Sequence, residues 1–231
     1  MEKTAGASPP LALNPVLTPR AAPTKFAILI FPGFEPLDVF GPVEVIQTLS
    51  SSKPMSLYWI SASTSPALDP LAGTKRPTAG ATVVPTHTLA APPDDIDVLL
   101  VPGGLGALSH TLGPAVEYVR ATYPKLKYMI SVCNGAELLA RAGVLEGRRA
   151  TCDKVLWAHN TTMHPGVGWD KKPRWVIDGN VVTSGGVSAG LDMALGWVAH
   201  VWDEGLAREI ANVVEYEWRN DPNFDVFAYV W

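Results

Sequence analysis

Cysteine is nearly absent: Cys133 and Cys152 are the only two in 231 residues. That excludes a disulfide framework and leaves reduced thiols in a cytosol-like compartment as the default. Long apolar runs are also missing. No stretch reaches the ~20 residues that a membrane span needs, and no compact apolar core follows Glu2 and Lys3 as a signal peptide would require. A cytoplasmic protein without a membrane partner is therefore expected. Basic runs are absent too: 18 Lys and Arg stand against 22 Asp and Glu, a net charge of -4, so a nucleic-acid backbone is not an expected partner. His87, His110, His159, His164 and His200 include no close pair with metal-ligand spacing, which argues against a zinc site. There is no internal repeat.

What is present is ordinary globular material, with 47% hydrophobic and 17% charged residues. This suffices for a large core without disulfides or metals. Residues 1–24, rich in Ala, Pro, Ser and Thr, read as a flexible N-terminal arm, although Leu11, Leu13, Val16 and Leu17 offer apolar groups that would let it dock. Residues 25–231 read as a single α/β domain with an aromatic tail ending in Phe227, Tyr229 and Trp231. Apolar runs at Phe26–Phe31, Asp97–Val101 and Tyr128–Val132 have the continuous character of buried parallel strands, and Ser56–Ser61 is a further strand. Helices are expected over Asp38–Leu49 (with Pro42 in the first turn), Ala115–Ala121, Asn134–Ala142, Ala189–Trp202 and Leu206–Trp218. The segment Leu68–Thr88 suggests a hairpin and Ala150–Cys152 a short strand. Asp178-Gly179 marks a turn between Trp175–Ile177 and Asn180–Thr183. Strands alternating with helices imply a parallel sheet covered on both faces, with the ligand site at the carboxyl ends of the strands. Three loops gather there: Phe31–Asp38, Pro102–Gly106 and Cys133–Gly135.

Cys133 lies where a buried strand turns abruptly into a helix, between the small residues Ser131 and Gly135. This has the form of a nucleophile elbow. The unsatisfied N–H groups and positive dipole end of the helix favour the thiolate, the reactive form. Gly103 and Gly104 close another strand, and glycines there let backbone N–H groups approach a ligand. With the amide of Asn134, Gly104 is a candidate oxyanion hole. Asp38 follows the first strand. It suits a helix N-cap, or a carboxyl facing Cys133 whose pKa burial would raise into the range of a proton donor. Glu35 competes with it, but its loop position turns it toward water. A Cys-His dyad with His159 depends on tertiary proximity. Cys152 reads as a core residue that would otherwise be a redox partner for Cys133, and the tryptophans read as core or dimer anchors.

The ordered set Phe31-Pro-Gly-Phe34, Leu37-Asp-Val-Phe-Gly-Pro42, Val101-Pro-Gly-Gly104 and Ser131-Val-Cys-Asn-Gly135 resembles the ThiJ/PfpI superfamily. Ala142–Thr151, Asp178–Asn180 and Thr183–Gly190 extend the resemblance, which covers roughly residues 25–218. It implies a flavodoxin-like three-layer α/β/α sandwich with a mostly parallel sheet, and a homodimer. Within the superfamily the chain is most similar to isonitrile hydratases, which carry Asp at the position of Asp38 and Cys at that of Cys133. The implied reaction is attack of the Cys133 thiolate on an isonitrile carbon. Asp38 donates and relays a proton, and water releases an N-substituted formamide. Neither metal nor organic cofactor is implied. Two departures leave the substrate open. Asn134 stands where isonitrile hydratases often have Thr, and Thr151-Cys-Asp-Lys154 replaces their Thr-Thr-His-Trp. Glyoxalase- and protease-like relatives often place His directly after the cysteine, which this chain does not. Other readings are a lyase or hydrolase on another small electrophile, a deglycase-like activity, and a non-enzymatic thiol sensor. An α/β-hydrolase would recruit Asp153 or Asp192 with His159 or His200, but Ser131 replaces the first glycine of its usual elbow.

Overall fold

The computed structural model describes residues 22–62 and 81–231. The elements run β1 (Lys25–Leu29), α1 (Pro36–Leu49), β2 (Ser56–Ser61), β3 (His87–Thr88), β4 (Val98–Val101), α2 (Gly113–Thr122), β5 (Tyr128–Ser131) and α3 (Gly135–Arg141). After these come β6 (Arg149–Ala150), α4 (Trp157–Met163), β7 (Gly168–Trp169), β8 (Trp175–Asp178), β9 (Val181–Ser184), α5 (Ala189–Val201) and α6 (Glu204–Val213). Seven strands form one sheet in the order β3-β2-β1-β4-β5-β9-β8. Its pairings are parallel, except for the antiparallel β8–β9 hairpin. That hairpin turns at Gly179, whose φ of 63° suits a residue without a Cβ. Strands β6 and β7 pair separately.

The continuous apolar runs are explained by burial on both faces of the sheet. Successive side chains of a strand point to opposite faces, and the core divides accordingly. Phe26, Ile28, Val98, Leu100, Ile130 and Val182 pack with buried residues of α1, α5 and α6. Ala27, Leu29, Leu99, Val101, Met129 and Val181 pack with those of α2 and α3. The result is the three-layer α/β/α sandwich. On the first face Trp197 is 1% exposed and meets Phe26, Tyr128 and Trp202 edge-on, with ring centroids 5.9, 5.5 and 5.5 Å away. Among the described residues no helix is long and apolar enough to cross a membrane.

Four local expectations are corrected. Helix α1 begins at Pro36, so Pro42 lies inside it rather than in its first turn, and the N-cap is Glu35 rather than Asp38. The strand expected over Ala150–Cys152 is Arg149–Ala150. The last helix stops at Val213 rather than Trp218. Glu215 there takes a φ of 51°, and the aromatic residues beyond it turn back onto α5, where Tyr216 donates to Asp192 Oδ1 at 3.0 Å and Trp218 Nε1 to the Asp192 carbonyl at 3.1 Å. Of the segment Leu68–Thr88, residues 68–80 lie outside the described ones, and His87–Thr88 extends the sheet in parallel with β2. The arm expected over residues 1–24 likewise falls almost wholly outside the described residues.

Candidate active site

Strand β5 ends at Ser131, and the chain turns into α3 through Cys133, whose φ is 58°. A non-glycine residue with positive φ is uncommon and strained, and such residues persist where the surroundings over-determine them. Here the restraints are visible. The Cys133 N–H donates to the Gly185 carbonyl at 3.0 Å, and the Gly135 N–H donates to Val132 at 2.9 Å. A Cβ on Gly135 would lie 2.3 Å from the Val101 carbonyl oxygen and 2.7 Å from that of Pro102. The elbow is therefore wedged against the end of β4. Gly135→Ala is expected to cost ~1–3 kcal/mol through overpacking and to displace Cys133, which thermal denaturation alongside thiol titration would show.

Asp38 projects from the first turn of α1 toward the same place. It is 0% exposed. Its Oδ2 accepts the Gly103 N–H at 2.9 Å, while Oδ1 is buried without a hydrogen-bond partner. The Cys133 side chain stands beside this carboxyl. Burial, reinforced by the charges of Glu35 and Asp153, raises the Asp38 pKa to about 7, against the opposing pull of the Gly103 N–H and the Cys133 side chain. The Cys133 thiol is pushed well above its ordinary value, first by burial and then by the charges of Asp38 and Asp153. The expected thiolate is thus corrected. The Asn134 amide favours it, but the dipole of a seven-residue helix is outweighed by desolvation and two carboxyls. At neutral pH the proton rests on sulfur.

The two glycines after β4 have a different task from the one expected. Gly104 N–H donates to Asn134 Oδ1 at 2.7 Å, and Asn134 Nδ2 donates back to the Gly104 carbonyl at 3.0 Å. With the Gly103 N–H held by Asp38, neither glycine amide is free for an oxyanion. Gly104 has a φ of 116°, and a Cβ there would meet the Gly33 carbonyl oxygen at 2.4 Å. The glycine permits close approach of the Phe31–Asp38 loop, which is tied in further by Glu35 N–H to Gly103 O at 2.9 Å and Gly106 N–H to Gly33 O at 3.0 Å. Asn134 therefore clamps the loop after β4 to the elbow carrying Cys133, and that loop in turn holds the one carrying Asp38.

A cavity of about 420 Å³ opens on Cys133. Glu35, Asn134, Asp153, Lys154, Arg174 and Phe227 are among its walls, so Glu35 faces this cavity. Sequence reasoning had placed Asp153 only in a hydrolase triad and gave no role to Lys154, Arg174 or Phe227. Their signal was the departure at Thr151–Lys154, whose meaning depends on tertiary placement. Lys154 Nζ is satisfied by Thr151 Oγ1 at 2.7 Å, the Cys152 carbonyl at 3.0 Å and the Pro173 carbonyl at 3.3 Å. Cys152 is fully buried. Its sulfur accepts from Asn160 Nδ2 at 3.1 Å, and burial pushes its thiol up to about 12, as befits a core residue. His159 and His200 are exposed, and among the described residues no histidine shares a hydrogen bond with Cys133. Nor do any three His, Cys, Asp or Glu side chains among the described residues gather to hold a metal ion.

Comparison with known proteins identifies relatives of the whole fold. The chain is 31% identical to isonitrile hydratase of Pseudomonas putida over 214 residues, 87% of this chain and 81% of that protein. It is 34% identical to the deglycase PfpI of Pyrococcus furiosus over 93 residues, 40% of this chain and 54% of that protein. The crystal structure of a ThiJ/PfpI family protein from Pseudomonas syringae superposes with a TM-score of 0.72 at 28% identity, covering 95% of this chain and 85% of the other. The DJ-1/PfpI family model matches residues 24–200, a span that holds Asp38, both glycines after β4 and the strained Cys133. The chain belongs to the DJ-1/PfpI family.

Proposed function

We propose that this protein is a cysteine-dependent hydro-lyase that converts an isonitrile to an N-substituted formamide. The observation that carries the reading is the Asp38–Cys133 pair: a protonated thiol on a strained elbow beside a buried carboxyl poised near neutrality. The similarity to isonitrile hydratase supports the choice of electrophile. The terminal carbon of an isonitrile needs a nucleophile and a proton at the same atom, and this pair supplies both. Asp38 carboxylate takes the thiol proton as sulfur bonds to the carbon, then returns it to that carbon. The product is a thioimidate on Cys133, which water resolves to the formamide and free thiol.

This mechanism fixes the pH dependence. The active state holds one proton across the pair. Below about 7 Asp38 is protonated as well and no base remains; above it the carboxylate is available. kcat/KM is therefore expected to rise as pH increases through about 7. A profile falling through that region would contradict the assignment. The direct test is turnover of an aryl or alkyl isonitrile by wild type beside Cys133→Ala. Formamide from wild type alone supports the proposal, and no turnover by folded wild type removes it.

A further inference from the structure

The water-dependent half of this reaction calls for a proton acceptor on the cavity wall, where water would enter. Asp38 is 0% exposed and is not among the residues lining the cavity, whereas Asp153 is. The sheet order places the two carboxyls on opposite sides of Cys133, which follows β5. Asp38 belongs to the β1–β4 side, held by the Gly103 N–H. The segment carrying Asp153 docks on β9, where the Thr151 N–H donates to Thr183 Oγ1 at 2.9 Å. The Cβ of Asp153 lies 3.9 Å from a Cβ built on Gly186, just beyond that strand. One carboxyl oxygen, Oδ2, accepts the Leu156 N–H at 2.7 Å. The other, Oδ1, is buried with no partner, on a residue only 5% exposed. A buried polar atom without a partner is costly and calls for an explanation.

We propose that Asp153 is a second catalytic carboxyl, serving the water-dependent half of the reaction as Asp38 serves the addition half. This rests on the isonitrile reading. Asp153 accepts one proton from the water whose oxygen bonds to the thioimidate carbon. The C=N pair moves to nitrogen, which takes that proton back from Asp153. Collapse then breaks the C–S bond and forms C=O, and the hydroxyl proton passes through Asp153 to sulfur. Water is the only co-reactant, and the products are the formamide and the Cys133 thiol.

The charged surroundings fit a group that titrates in use. Burial raises the pKa of Asp153, opposed by the Leu156 N–H, the charge of Lys154, its own backbone N–H and the charge of His159. Cys133 and Asp38 both feel its charge, and Glu35, Arg174 and Asp225 share the cavity. The cations are otherwise engaged: Lys154 by its three oxygen acceptors, and Arg174 by Asp192, Asp225 and Ser188. Asp153 Oδ1 is thus the buried wall atom left to meet a water.

The experiment compares wild type with Asp153→Asn, which retains an acceptor for the Leu156 N–H. Rapid-quench kinetics with a phenyl isonitrile are combined with intact-protein mass spectrometry. The variant is expected to lose on the order of 10²-fold in steady-state turnover. It should still add the isonitrile to Cys133 within tenfold of the wild-type rate, so that the adduct accumulates as a burst. Equal loss of both phases, or an unchanged steady state, would overturn the role. A second readout does not depend on isonitrile chemistry. Alkylation of Cys133 by iodoacetamide should shift to lower pH in the variant, because a carboxylate charge beside the thiol has gone. An unshifted profile in a protein with wild-type melting behaviour would show that Asp153 does not face Cys133. If wild type itself leaves isonitriles untouched while the alkylation shift is present, the failure lies with the substrate reading and not with the placement of Asp153.

Discussion

Asp38→Asn is expected to abolish turnover while making the protein more stable at pH 8. The activity loss follows from removing the group that takes and returns the thiol proton, and general acid–base groups of this kind contribute roughly 10²–10⁴-fold. The stability gain follows from linkage. The ordinary pKa of Asp38 is 3.8, and the folded value is about 7. Between those values the native state binds more protons than the unfolded chain. The carboxyl therefore favours folding fully below about 3.8, and that contribution is lost as pH rises through about 7. At 1.36 kcal/mol per pKa unit, the buried charge costs at most ~4 kcal/mol at pH 8. Asn keeps an acceptor for the Gly103 N–H but adds donors that the pocket does not match, so a net gain of ~2 kcal/mol is expected, roughly 4–8 °C in Tm for a chain of this size. At pH 5 the difference should shrink, because wild type then buries a neutral acid. Melting curves at the two pH values check this, and a variant less stable than wild type at pH 8 would contradict the electrostatic account. Strain and buried charge retained at an active site at the expense of stability are expected of catalytic groups.

Asp192→Ala is expected to produce the largest destabilisation. Asp192 is 0% exposed and lies 2.6 Å from Arg174, itself 3% exposed. Its Oδ1 also accepts from Tyr216 Oη at 3.0 Å and the Arg219 N–H at 2.9 Å. Removing the carboxylate leaves a buried guanidinium short of its main partner, with Asp225 at 3.5 Å and the Ser188 hydroxyl at 3.3 Å remaining. Breaking such a pair costs ~3–5 kcal/mol, or on the order of 10 °C in Tm. The effect should reach the cavity, because Arg174, Asp225, Phe227 and Trp231 all line it. A raised KM is therefore expected in whatever fraction remains folded. A melting temperature within 2–4 °C of wild type, the shift of ~1 kcal/mol, would show that the network contributes little.

The sandwich was legible because its strands announce themselves. Phe26–Phe31 and Val98–Val101 are apolar without interruption, which only burial on both faces explains. The elbow was legible for a related reason: Ser131-Val-Cys133-Asn-Gly135 joins such a strand to a helix with small residues where the backbones crowd. What the sequence hid was partnership. Nothing local shows that the Gly103 and Gly104 amides are held by Asp38 and Asn134, 65 and 30 residues away. The thiol's electrostatics were misread because helix position is a local property, whereas the carboxyls that outweigh it arrive from other segments. Asp153 was overlooked as a flanking group for the same reason. It comes alongside Cys133 only because its segment docks on β9. The end of the last helix was overrun because Tyr216 and Trp218 continue an apolar pattern that is in fact anchored by bonds to Asp192.

Covalent chemistry at Cys133 can be watched by quenched-flow peptide mass spectrometry during isonitrile turnover. The peptide containing Cys133 is expected to gain the full mass of the isonitrile transiently, at a rate that rises as pH passes through about 7, and Cys133→Ser is expected to form neither adduct nor formamide. Formamide production at the wild-type rate by Cys133→Ser, with no adduct on the wild-type peptide, would contradict it.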